Sequence, residues 1–379
     1  MSEYQYYEFA AIEKPLSPRD MAALRAITSR AQITRTRLVN EYHFGDFKGD
    51  PRKLMERYFD AFLYLANWGT HSITLRLPIG LLDPAVAATY CVGDAASSWT
   101  TSDHVLLDLT SEDEEGEWED DGEGHLASIV PARAELAAGD TRLLYLAWLL
   151  CVQGREVDDA EREPPVPPGL ASLSGPLRGL ADFLRLDQDL LAAAAEASAP
   201  LTAKAEPSTA ELARWVTGLP AAEKDAVLVR LLGGEDVGLR AELLRRFHGP
   251  VAGAAPSPGR TVGELLAAAE QRWAERQRLA EERKAAARAR REQAAAAAMQ
   301  QRLNTLAGRQ DQAWQQVSAM IDTKKPKEYD AAVELLRDLK ALAERDGGTP
   351  AFTGRLRQLR QDHARKPSLL DRLDRAKLG

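Results

Sequence analysis

Residues 262–303 read VGELLAAAEQRWAERQRLAEERKAAARARREQAAAAAMQQRL, with no proline and one glycine, Gly263. Almost every residue is a strong helix former, so the stretch predicts one long helix running to about 306. Between Arg272 and Arg291 only Trp273, Leu279 and alanines are apolar, against eight basic and three acidic side chains. A helix that polar has no broad core face; it is solvated, bridges domains or meets a partner. This reading divides the chain into a part before the helix and a part after it.

The part before it opens with strand signals. Residues 4–12 are aromatic and rich in β-formers, and residues 33–44 alternate well enough for a second strand. Ser17-Pro18 and Asp50-Pro51 each place a capping side chain before a proline at the first helical position. The second of these helices is expected to carry Leu54, Met55, Tyr58, Phe59, Phe62, Leu63 and Leu65 as one apolar face. Trp68 beside Gly69 reads as a core aromatic next to a helix C-cap. Ile73, Leu75 and Leu77 alternate as a third strand, residues 105–109 form a fourth, and residues 141–152 form a buried helix. Strands and helices in this order predict an α+β domain over 1–162 with a ferredoxin-like β-α-β core.

Mainly α-helical modules follow. The prolines of 163–169 open a linker with one helix, over 163–208. Short amphipathic helices make a small module over 209–248, and a Pro/Gly-rich linker spans 249–261. The long charged helix takes 262–308. Beyond it, the Lys324-Lys325-Pro326 and Gly347-Gly348 breaks divide 309–379 into a helical hairpin bundle.

The overall charge is −8, which argues against a chain basic throughout. Two cysteines, Cys91 and Cys151, build neither a disulfide framework nor a Cys-rich zinc site and fit a reducing cytoplasm. The first residues carry no secretory pattern, and no apolar run is long enough for a membrane span. The expectation is a cytoplasmic protein without a membrane segment.

Three places can carry function. The loop HFGDFKGDP, 43–51, precedes a helix and offers His43, Asp46, Lys48 and Asp50; His71 lies at the far end of the same unit. The loop has neither phosphate-loop spacing, and the two histidines lack a metal-ligand spacing, so a capped strand-to-helix turn is the plainer reading. Residues 111–125, SEDEEGEWEDDGEGH, hold nine carboxylates and predict a mobile acidic loop that suits a basic partner. They mimic the start of a calcium loop, but Ser128 stands where the twelfth-position Glu is required. The third place is the basic helix itself, where Arg272, Arg276, Arg283, Lys284, Arg288, Arg290 and Arg291 are candidate contacts to a protein partner or to phosphates. Catalytic and cofactor motifs are missing, which leaves an enzyme of unrecognised type as the third reading after adaptor and nucleic-acid binder.

The tail, WQQVSAMIDTKKPKEYDAAVELLRDLKALAERDG at 314–347 and FTGRLRQLRQDHARKPSLLDRLDRAKL at 352–378, resembles the C-terminal helical region of bacterial SWIM zinc-finger proteins. Those proteins carry a CxC…CxH zinc site, and this chain has no CxC pair, so the zinc function does not carry over. YQYYEF at 4–9, EYHFGDFKGDP at 41–51 and YFDAFLYLANWGTH at 58–71 resemble an uncharacterised bacterial family. SWIM proteins occur alongside AAA-type ATPases and von Willebrand A-domain proteins, so the resemblance implies at most a companion component of such a multiprotein system; with the cofactor motifs missing, no cofactor is expected.

Overall fold

In the computed structural model the described residues are 4–113, 122–201, 207–233, 239–248 and 259–378. The chain forms two compact units, Met1–Arg276 and Gln277–Gly379. The division falls inside the long helix, because the first turns of that helix carry Val262, Leu265 and Ala269 into the core of the first unit. Among the described residues no helix is long and apolar enough to cross a membrane.

The first unit is built on a seven-stranded sheet: β1 (Gln5–Ala10), β2 (Gln32–Ile33), β3 (Arg37–Tyr42), β4 (Ala61–Ala66), β5 (Thr70–Pro78), β6 (Ala96–Thr100) and β7 (His104–Glu112). Its order is β2-β3-β1-β4-β5-β7-β6, and every neighbouring pair is antiparallel. Strands β3 and β4 flank β1 and oppose it, so they run parallel to each other. The helix α2 (Pro51–Arg57) joins them across β1, one split β-α-β unit within an antiparallel sheet of seven strands. With this sheet followed by helices, the chain is an α+β domain leading into helical modules.

Helix α1 (Pro18–Ile27) starts at a capping box closed by Ser17 and Asp20, and α2 starts at Asp50, whose carboxylate accepts from the Lys53 amide. Both pack over the β2-β3-β1-β4 half of one face, against Tyr7, Phe9, Leu38 and Phe62. The same signal, Asp83-Pro84, opens α3 (Pro84–Tyr90), a helix not anticipated above. The other face is covered by α4 (His125–Ala137), α5 (Arg142–Gln153), α6 (Gly175–Phe183) and α7 (Gln188–Ala195). The segment 163–208, expected as a linker with one helix, therefore contributes to this core with two helices. Arg185, at φ 52°, breaks them apart.

Two expectations are corrected. The apolar run 58–65 does not continue α2: that helix ends at Arg57, and residues 61–66 are the central strand β4. Helical layers cover both faces of β4, so its apolar residues run on without alternation, a pattern that fits helix and strand equally. Trp68 is not a core residue beside a helix C-cap. It is 44% exposed, in the turn between β4 and β5, where Gly69 takes φ 98°.

One buried network ties the β1–α1 connection to the sheet. The Asp60 carboxylate accepts from the Ile12 and Glu13 amides at 2.6 and 2.8 Å and from the Arg76 guanidinium at 2.7 Å. Glu13 in turn meets Arg133 and His104. Burial works against its charge, but those two partners outweigh it and hold the carboxyl below the usual range.

After α8 (Thr209–Gly218), α9 (Ala221–Leu232) and α10 (Leu239–His248), the helix α11 covers Val262–Ala307, about 70 Å at 1.5 Å per residue. The second unit adds α12 (Gln310–Asp322), α13 (Pro326–Arg345), α14 (Thr349–Asp362) and α15 (Pro367–Arg375). Trp314, Val317, Ile321, Leu336, Phe352, Leu356, Leu369 and Leu373 form its core. The proline and glycine breaks read from the sequence are where these helices separate.

Candidate docking surface

The N-terminal candidates do not converge. His43 is exposed just past β3, its ring 5.5 Å from that of Tyr4. Asp46 accepts from Gln5 Nε2 at 2.9 Å, Lys48 is exposed, and Asp50 serves as the cap of α2. His71 is buried in β5, with Nδ1 2.6 Å from the Phe183 carbonyl oxygen and its ring stacked on Phe183 at 4.8 Å. The sheet order puts β1 and β4 between His43 and His71, a separation of roughly 14 Å at the usual strand spacing. The aromatic partner of His71, Phe183, also meets the ring of His125 at 5.4 Å. Among the described residues no group of three or more His, Cys, Asp or Glu is arranged to hold a metal. Of the acidic run, residues 114–121 lie outside the described residues.

A polar half-face of the sheet was missed in the sequence. Beside the layer of α1 and α2, strands β5, β7 and β6 present Ser72, Thr74, Ser97, Asp108 and Thr110. Thr74 Oγ1 donates to Asp108 at 2.7 Å, and Ser72 and Thr110 share a hydrogen bond at 2.9 Å. At the rim the Arg52 guanidinium lies 4.2 Å over the Trp99 ring, and Trp99 Nε1 donates to Glu56 at 2.9 Å. The signal was available: in β7, HVLLDLTSE, the carboxylate alternates with Leu107 and Leu109 of the buried face.

Burial pushes the Asp108 carboxyl up, with Thr74 and Arg52 opposing. A carboxyl whose folded pKa exceeds its unfolded value binds its proton more tightly when folded, so ionisation removes stability as pH rises through that range. Asp108→Asn, uncharged throughout, is expected to melt higher than the wild type at neutral pH. The gap should close as pH falls below the wild-type carboxyl's folded pKa. Parallel melting curves with a pH-independent gap would rule out ionisation of Asp108 as the cause.

The basic helix is the third place, and it divides in two. Arg272 Nε donates to Glu196 at 2.8 Å, and Arg276 Nε lies 3.1 Å from both Asp189 oxygens. Both arginines fasten the root of α11 to α7, and the exposed pair contributes at most ~1 kcal/mol. Farther along, Lys284 pairs with Glu281 at 2.9 Å and Arg288 with Glu292 at 2.8 Å. Arg283, Arg290 and Arg291 have no ion-pair partner among the described residues. At 100° per residue, 283, 284, 288, 290 and 291 share an arc of roughly 160°, and Glu281, Glu282 and Glu292 lie on the remainder. Every side chain from 281 to 302 is exposed.

Charge follows the same division. Residues 277–379 hold 22 Lys and Arg against 14 Asp and Glu, a balance of +8; residues 1–276 hold 27 against 43, a balance of −16. The modest overall charge is the sum of an acidic unit and a basic one. Comparison with known proteins finds no matching family model, no matching curated protein and no matching solved structure.

Proposed function

We propose that the chain is a non-enzymatic adaptor or scaffold component of a cytoplasmic bacterial multiprotein system. In this reading it docks acidic protein partners through the basic half of α11 and the C-terminal helical unit. One observation carries the proposal: 22 consecutive residues of α11, 281–302, are exposed although helices on either side of them are packed into folded cores. Such a stretch adds no core, and its unpaired Arg283, Arg290 and Arg291 form a surface suited to carboxylates. The likeness of the tail to SWIM-type proteins supports partners from that setting, AAA-type ATPases among them.

The test is affinity capture with the full chain, followed by reconstitution with the purified captured protein. A discrete protein should remain bound after nuclease treatment and lose at least tenfold in affinity to the triple variant Arg283→Glu, Arg290→Glu, Arg291→Glu. Recovery of no protein, or of one released by nuclease, would sink the adaptor reading.

The +8 of the C-terminal unit favours a second reading, sequence-independent binding of nucleic acid. Arg272 and Arg276 are already engaged, so α11 offers about three unpaired cations. Three phosphate contacts give a salt slope of roughly −2.7, a loss of roughly fortyfold between 50 and 200 mM salt. Arg288→Glu with Arg291→Glu should abolish the gel shift. No shift at low salt would dismiss this reading.

A further inference from the structure

The bundle of the second unit leaves a trough open between α14 and α15. Thr353, Leu356, Arg357, Arg360 and Gln361 follow one another along one side of α14, and Ala364 and Leu370 complete a cleft of about 420 Å³ between α14 and α15. That volume lies within the range of about 300–1,000 Å³ seen for ligand clefts. Its floor is apolar: Leu356 is buried in the core beneath it, and Leu370 is half-buried. Its charged walls are arginine alone. Arg360 is fixed, donating to Asp374 at 2.7 Å and to the Leu378 carbonyl at 3.0 Å. Arg357 is exposed and has no hydrogen-bond or ion-pair partner among the described residues.

We propose that this trough is a docking groove for an amphipathic acidic helix of a partner protein, whose leucine-type side chains would enter over Leu356 and Leu370 while its carboxylates pair with Arg357. The spacing of the lining side chains, at i, i+3, i+4, i+7 and i+8 of α14, is that of a helix face, and a groove between two helices is the shape that receives a third. The occupant's charge follows from Arg357, since Arg360 is already balanced by Asp374, and from the +8 of the unit that carries them. This inference rests on the adaptor reading and gives it a specific site, separate from α11.

The probe is a fluorescein-labelled helical peptide of about 15 residues with leucines on one face and glutamates flanking them, measured by anisotropy against the full chain. A peptide with lysine at every glutamate is the comparison. The Leu/Glu peptide should bind and the Leu/Lys peptide should not. Arg357→Glu should weaken binding by roughly tenfold or more, Gln361→Glu should weaken it less, and Arg337→Glu on α13, away from the cleft, should leave it unchanged. Equal binding of the two peptides, no loss with Arg357→Glu, or no binding at millimolar peptide overturns the groove. A captured partner protein that binds Arg357→Glu as tightly as the wild type also overturns it and leaves the adaptor reading standing; failure to capture any partner overturns the adaptor reading itself.

Discussion

Arg260→Ala is expected to destabilise the N-terminal unit by about 3–5 kcal/mol, the usual result of removing one partner from a buried ion pair. The Glu163 side chain is 2% exposed and receives Arg260 Nε at 2.8 Å and Nη2 at 3.0 Å. The Tyr145 hydroxyl donates to the same carboxylate. Burial and then the carboxylate drive the Tyr145 hydroxyl far above its ordinary pKa, so it stays protonated as a donor. Arg260 also donates to the Ala193 and Ala194 carbonyls at 2.7 and 3.2 Å, near the end of α7, where a cation meets the negative pole of the helix. Alanine at 260 would leave Glu163 charged and dry with a single neutral donor. Because Arg260 lies two residues before the start of α11, the root of the long helix should loosen with it. Hydrogen exchange should show protection lost around 160–163 and 260–269 and kept in α13. Replacing both partners, Glu163→Leu with Arg260→Leu, should recover much of the loss, since a buried pair often gains little over an apolar pair. An unfolding free energy from urea titration of Arg260→Ala within about 1 kcal/mol of the wild type would show that water already screens the pair.

The long helix was legible because its signal is local: propensity alone fixes 46 residues that tertiary contacts scarcely touch. The C-terminal breaks were legible for the same reason, with Pro326 and Gly347-Gly348 ending helices whatever packs against them. The central strand β4 was hidden because burial on both faces erased its alternation. The pairing of Arg272 and Arg276 was hidden by distance along the chain: Glu196 and Asp189 lie 76 and 87 residues away, and a charge run seen alone reads as solvated. Glu163, within the proline stretch that read as a linker, became a buried anchor for the same cause. Only the fold brings Arg260 to it. Thus the outline of the basic surface was readable, and which of its cations remain available was not.

That lesson bears on Asp60, whose partners are likewise distant. Asp60→Ala is expected to cost about 3–5 kcal/mol. Its carboxylate is 1% exposed and makes four bonds at once: to Arg76 through Nε at 3.2 Å and Nη2 at 2.7 Å, and to the amides of Ile12 and Glu13. Arg76 keeps the Met55 and Glu56 carbonyls at 3.1 and 3.2 Å, but these neutral acceptors do not balance a guanidinium that is itself buried. The part-buried backbone amides of Ile12 and Glu13 would lose their acceptor as well, which adds to the cost. Asp60→Asn retains the shape and one acceptor oxygen, so it should fall between alanine and wild type. The consequence extends to Glu13, whose backbone Asp60 holds beside Arg133 and His104. Glu13 has a depressed folded pKa, so it contributes stability above its unfolded pKa and loses it as pH falls through the folded value. With its anchor gone, Asp60→Ala should show a shallower decline of stability in the acid range than the wild type. Urea unfolding across that range measures both effects, and a curve parallel to the wild type would uncouple Glu13 from Asp60.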